Sequence, residues 1–201
     1  MKKDGKQGDS TKTGKEFEEK VDFIRKVNKL EGYSTKSKSK NNKYKTYIYE
    51  IKYKNKVIAE SFKKHAFYRY LKNKDSNFNW KNIISKQLLP DDAIYVHKNN
   101  TIYIIEIKFQ EEGGSGSVDE KPQTCFFKIK QYRKLLYSFN YNVEFIYILS
   151  DKFKDEKYKD MLDYIKEVGC KYYFDEIKLN ELCFPSIKEK NGIKWIMGKN
   201  I

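Results

Sequence analysis

The chain has 201 residues, 39% of them hydrophobic and 16% aromatic, and 42 Lys+Arg against 28 Asp+Glu give a formal charge of +14. That is enough apolar mass for one domain with its own core, which excludes collagen-like, mucin-like, coiled-coil and disordered classes. No run approaches the roughly 18 apolar residues of a spanning helix, and the lysine-studded start lacks the apolar stretch of a signal peptide, so a cytoplasmic protein without membrane partners is expected.

Residues 1–13 read as a disordered polar tail and 14–201 as a single domain, with a core over about 15–149 and a C-terminal helix, strand and hairpin over 150–201. After Gly14, KEFEEKVDFIRKVNKL puts Phe17, Val21, Ile24 and Leu30 at helical spacing, and Gly32 closes the helix. GYSTKSKSKNNK, rich in lysine and hydroxyl residues, reads as a loop. Alternating β-formers in YKTYIYEIKYKNKVIAE, interrupted at Lys54-Asn55, predict a hairpin. Helical periodicity returns in ESFKKHAFYRYLKNK, and NWKNIISKQ predicts a short second helix ending before Pro90.

From Pro90, AIYV and TIYIIEIKF predict two strands joined by the turn HKNN, the second apolar on both faces as a central strand is. EEGGSGS breaks the pattern, and the segment from about Glu120 to Phe139 predicts a long helix with Phe127, Leu135 and Phe139 among its apolar positions. VEFIYIL reads as a buried strand, KDEKYKDMLDYIKEVG as an amphipathic helix closed by Gly169, CKYYF as a short strand, and IKEKNGIKWIM as a hairpin turning at Asn191-Gly192. The expected fold class is α/β (mixed α+β), a central mixed sheet flanked by helices on both faces. Cys125, Cys170 and Cys183 lack CxxC spacing and read as reduced thiols.

The charge is unevenly placed. Met1 to Gln87 holds 24 Lys+Arg and 10 Asp+Glu, a net of +14, while Leu88 to Ile201 holds 18 of each. A one-sided basic surface attracts polyanions, nucleic acid first among them, although a solvated lysine surface is the plainer alternative. Only Arg25, Arg69 and Arg133 are arginines, so the surface suits diffuse phosphate attraction better than bidentate base reading. Tyr44, Tyr47, Tyr49, Tyr53, Tyr68 and Tyr70, set among these lysines, are candidates for sugar or base contacts as well as for the core.

One constellation carries chemistry. Glu106 and Lys108 are two apart on a strand, so they emerge on the face that also carries Ile102 and Ile104. Burying such a pair is costly without compensation, which places it in a cleft or beside a metal. Asp91 opens the neighbouring strand, so two carboxylates converge and need a cation. All-oxygen ligation favours a hard ion such as Mg²⁺. Each half has a plainer reading, since a Pro-Asp pair often makes a turn and ExK alternation is common on exposed strands. His65 and His97 lie far apart in sequence without ligand-like neighbours and read as non-catalytic.

PDDAIYVHKNNTIYIIEIK resembles the PD-(D/E)XK motif of restriction-endonuclease-like nucleases, with Pro90-Asp91 as the PD and Glu106-Ile107-Lys108 as the ExK. LPDDAIYV is similar to the start of type IIS cleavage domains, and the element order from Lys15 to Leu149 follows the family core of helix, three strands, helix and strand. The resemblance implies a restriction-endonuclease-like core in which Asp91, Glu106 and the Ile107 backbone carbonyl bind Mg²⁺ and Lys108 orients or deprotonates water or stabilises the oxyanion. It also implies a glutamate from the first helix, matched by Glu18 after Phe17, on a face shared with Gly14 and Val21; Glu18 equally suits the plainer role of complementing the helix macrodipole. From the loop and helix after the ExK, the DNA-binding candidates are Lys121, Gln123, Lys130 and Gln131.

The expected function is that of a Mg²⁺-dependent endonuclease acting on double-stranded DNA, a type II restriction endonuclease or its cleavage subunit, working as a homodimer or with a partner subunit to cut both strands. A structure-selective junction or repair nuclease keeps the chemistry with a different substrate. A non-catalytic DNA-binding module on a degenerate nuclease fold keeps only the binding.

Overall fold

The structure is a computed structural model and describes residues 9–41, 46–110, 121–186, 188–189 and 192–193. The chain enters through α1 (Asp9–Lys20), which begins inside the stretch expected to be a tail. The single helix expected to follow is two helices. Asp22 adopts an extended conformation and accepts a hydrogen bond from the Arg25 amide at 2.9 Å, so it caps a second helix, α2 (Phe23–Val27), and ends the first.

Seven strands then build one sheet in chain order: β1 (Tyr33–Asn41), β2 (Thr46–Tyr53), β3 (Lys56–Phe62), β4 (Asp92–Val96), β5 (Thr101–Lys108), β6 (Asn142–Leu149) and β7 (Lys171–Phe174). Neighbours from β1 to β5 are antiparallel, and β5, β6 and β7 are parallel. The segment expected to be a loop is therefore the edge strand β1. Ser34, Lys36, Ser37 and Lys38 are exposed, as their composition requires, but an edge strand needs only backbone pairing on one side, and lysines there discourage further strands from adding.

Between β3 and β4 lies α3 (His65–Lys74). The helix expected over NWKNIISKQ is reduced to a turn at Trp80–Asn82, capped by the Asn79 side chain. Within the expected 120–139 helix, α4 (Cys125–Leu136) is flanked by tight turns at Lys121–Thr124 and Tyr137–Phe139. The helix expected from Lys154 begins with two such turns and becomes α5 (Lys159–Glu167), closed at Gly169 with φ +75°. A final pair, β8 (Lys188–Glu189) and β9 (Gly192–Ile193), forms the described part of the expected hairpin; Asn191 and the EEGGSGS segment lie outside the described residues.

Helices cover both faces of the sheet, so the chain is a mixed α+β domain. The alternation along β5 shows how. Ile102 and Ile104 pack with α3, α4 and α5, whereas Tyr103 and Ile105 pack with α1, α2 and the segment from Ile177 to Phe184. All four are essentially fully buried, each worth about 1.5–3 kcal/mol in transfer free energy, so this strand anchors both half-cores. The three cysteines are free thiols. Among the described residues no helix is long and apolar enough to cross a membrane.

Candidate active site

The antiparallel pairing of β4 with β5 sets Asp92 opposite Ile105 and Ala93 opposite Ile104. Pleating then sends the two consecutive aspartates to opposite faces. Asp91 lies just ahead of β4, on the side shared with Ala93, Glu106 and Lys108. Its Oδ2 accepts a hydrogen bond from the Ile107 amide at 2.8 Å, which ties it to the end of β5.

The structure brings the three residues singled out in the sequence together. Lys108 Nζ stands 2.9 Å from Glu106 Oε2, 3.6 Å from Asp91 Oδ2 and 3.0 Å from the Ile107 carbonyl oxygen. A fourth charge joins them: Lys128 Nζ of α4 donates to Glu106 Oε2 at 2.8 Å. The side chains of Lys108, Asp91, Glu106 and Lys128 are only 14%, 20%, 9% and 21% exposed. Four charges that sheltered tolerate burial because two ammonium groups neutralise two carboxylates.

Mutual support sets their ionisation. Burial works to raise the Glu106 carboxyl, but Lys108 and Lys128 outweigh it and hold it below the ordinary glutamate value. Burial likewise works to lower Lys108, and Glu106 and Asp91 overcome it and hold the amine above its ordinary value. Close by, the buried Tyr132 hydroxyl has no hydrogen-bond partner among the described residues, and burial, with Glu106 next in weight, drives its pKa far up.

Sequence reasoning missed Lys128, although a signal for it exists. Lys128 lies three residues after Cys125 and four before Tyr132, both buried, so helical spacing puts it at the margin of the inward stripe. Of the four residues picked from this segment instead, Lys121, Gln123 and Lys130 are exposed and Gln131 is half-buried. Lys121 contributes its carbonyl to the Tyr147 hydroxyl at 3.4 Å, Gln123 borders a depression with Asp160, Met161 and Tyr164, and Lys130 sits over the Phe126 ring.

Glu18 is exposed and does not turn in towards the sheet. Phe17 is the inward residue of that turn, its ring 5.4 Å from that of Phe109, and one helical step rotates Glu18 about 100° away from it. The electrostatic neighbour of Glu18 is Lys63, on the opposite face from Glu106. Lys63 Nζ pairs with Asp22 Oδ2 at 2.5 Å and attracts the buried Asp92. Burial pushes the Asp92 carboxyl up to about 6; its Oδ1 accepts from the Ser61 hydroxyl at 2.9 Å and the Ala93 amide at 2.8 Å.

His97 lies 3.7 Å from Glu60, and His65 opens α3; neither belongs to the Asp91 group. Among the described residues no cluster of three or more His, Cys, Asp or Glu side chains is arranged to hold a metal ion. The oxygen donors that do converge are two carboxylates and one carbonyl, a set that suits a hard divalent ion, because Mg²⁺ takes one or two carboxylates and keeps several waters. In comparisons with known proteins, no family model matches the chain, and no curated protein or solved structure matches it.

Proposed function

We propose that this protein is a Mg²⁺-dependent DNA endonuclease with a restriction-endonuclease-like core, a type II restriction endonuclease or its cleavage subunit, in which Asp91, Glu106 and Lys108 carry out phosphodiester hydrolysis. One observation carries the reading: at the end of a buried strand, three oxygens from Asp91, Glu106 and Ile107 already surround a single positive charge, Lys108 Nζ, within 3.6 Å. Oxygens gathered round one positive charge are the donor set a hard metal requires, and the charge on Lys108 and the metal is what an anionic substrate requires.

When bound, Mg²⁺ would be held by Asp91, Glu106 and the Ile107 carbonyl and would supply Lewis acidity and an acidified water. Lys108 orients the attacking water or meets the charge that develops on the phosphate oxygen. Lys128 acts through Glu106 as a positioning residue, fixing the carboxylate from the α4 side. The exposed lysines of the Met1 to Gln87 half hold phosphates with an affinity that falls steeply as salt rises. One such site per chain cuts one strand, so cleavage of both needs a homodimer or a partner subunit.

Digestion of supercoiled plasmid with and without Mg²⁺, beside Asp91→Ala and Lys108→Ala, followed by sequencing of the ends, tests the reading. Mg²⁺-dependent cutting at fixed sites that disappears in both variants is expected. Random ends would remove restriction and leave the structure-selective nuclease. Activity surviving in Asp91→Ala would dismiss the site, and tight binding without cleavage of any DNA would leave only the binding module.

A further inference from the structure

The outer face of α4 has a composition that a core helix does not need. From Lys121 to Val143 the chain carries five basic residues and no acidic one, although the half to which it belongs is neutral overall. Four large hydrophobic side chains are exposed among the described residues, and three lie on this segment: Phe126 at 39%, Phe127 at 60% and Tyr137 at 87%. Phe127 was expected on the apolar stripe, yet Cys125, Ile129, Tyr132, Leu135 and Leu136 fill that stripe and leave it outside.

Helical spacing interleaves the two kinds of residue. Phe126, Lys130, Arg133 and Tyr137 follow one another at i, i+4, i+7 and i+11, so two cations lie between two rings along one side. Lys130 Nζ stands 4.1 Å from the centroid of the Phe126 ring, holding a charge over an aromatic face. The helix rises about 1.5 Å per residue, so the stripe runs for roughly 16 Å, the length of about five stacked nucleotides of one strand. It ends at a depression of about 920 Å³ that Arg133 and Tyr137 share with Ser138, Asn140 and Asn142.

We infer that this face is a track for an unpaired DNA strand. The inference takes from the nuclease reading only that the nucleic acid is DNA. Exposed rings stack on bases only where base faces are free, and the intervening Lys and Arg side chains take the phosphates. A duplex hides its base faces. A second copy of the chain offering the same surface would set four exposed cations, Lys121, Lys130, Arg133 and Lys134, against four, so this face is not a dimer contact.

Fluorescence anisotropy in EDTA tests the track, with fluorescein-labelled oligo(dT) and a fully paired duplex of equal length as probes. Phe126→Ala and Tyr137→Ala should each weaken oligo(dT) binding about tenfold and change duplex binding less than about twofold. A 5-bromodeoxyuridine oligomer should photo-crosslink the parent protein within Phe126 to Tyr137, a readout independent of the variants. Equal losses on both probes, no loss on either, no oligo(dT) binding by the parent, or crosslinks elsewhere would overturn the inference. Plasmid digestion beside these assays separates the two claims. Cleavage with oligo(dT) affinity unmoved by both substitutions dismisses the track alone, and selective oligo(dT) loss in a protein that cuts nothing upholds the track and dismisses the nuclease.

Discussion

Lys128→Met removes one of the two ammonium groups on Glu106 and keeps most of the aliphatic stem, so it tests whether α4 supports the site as described. Taking one partner from a buried ion pair costs about 3–5 kcal/mol when the remaining charge is left alone. Glu106 is not left alone, because Lys108 stays 2.9 Å away. The expected loss is therefore about 1.5–2 kcal/mol, the lower end for one hydrogen bond to a charged group. Glu106→Gln is the harsher change, leaving two sheltered ammonium groups to share Asp91, and about 3 kcal/mol is expected. Urea unfolding of both single variants and the double variant in EDTA gives the coupling, expected at about 1 kcal/mol or more. Coupling within about 0.3 kcal/mol of zero would refute the contact.

The same pair carries a pH signature. The folded Glu106 carboxyl lies below the ordinary value of 4.5, so the unfolded chain binds its proton first as pH falls. The stability it contributes is complete above about 4.5 and is lost as pH drops through the folded value. In Glu106→Gln that part of the acid transition should vanish; an unchanged acid limb would mean that the carboxylate is not held by the two lysines.

Because consecutive aspartates face opposite ways, Asp91→Asn should abolish Mg²⁺-dependent plasmid cleavage while Asp92→Asn, whose amide oxygen keeps the Ser61 and Ala93 hydrogen bonds, should leave it within about threefold. Equal loss in both would show that the faces are misassigned. Tyr132→Phe removes a buried hydroxyl without a partner among the described residues and should raise stability by about 1 kcal/mol in thermal melts; a loss instead would reveal a bond to that hydroxyl. Gly32 and Gly169 have φ of +77° and +75°, so alanine strains both, but an added Cβ at Gly32 meets the Tyr53 ring at 3.1 Å whereas at Gly169 nothing lies within 4 Å. Gly32→Ala should therefore lower the melting temperature more than Gly169→Ala, and the reverse order would contradict the β1–β2 packing.

Much of the site was legible because two strands write it locally. Glu106 and Lys108 share a face by the period of two, and the short HKNN connection folds the Asp91 end of β4 back onto the Lys108 end of β5. Lys128 was harder to see because it lies twenty-two residues beyond Glu106 across segment 111–120. Only the rotation of α4 against β5 and β6 decides which of its polar residues reaches the carboxylate. Glu18 illustrates the opposite case. Its spacing from Phe17 and Val21 is compatible with an inward position, and the docking of α1 through Phe17 onto Phe109 turns it outward.

The sequence by itself determined where β2 to β7 extend and where α3 to α5 coil, that β5 is an interior strand, and that an acid and an amine end that strand on one face. Those properties follow from local periodicity, turn residues and the cost of burying charge. Tertiary structure decided what an amphipathic pattern cannot contain. GYSTKSKSKNNK contributes a strand because β2 offers it a free edge. Phe127 is exposed because five other side chains already fill the inward stripe of α4. Both outcomes depend on how much space and how many backbone partners distant segments leave, and those become defined only when the sheet and its helices have packed.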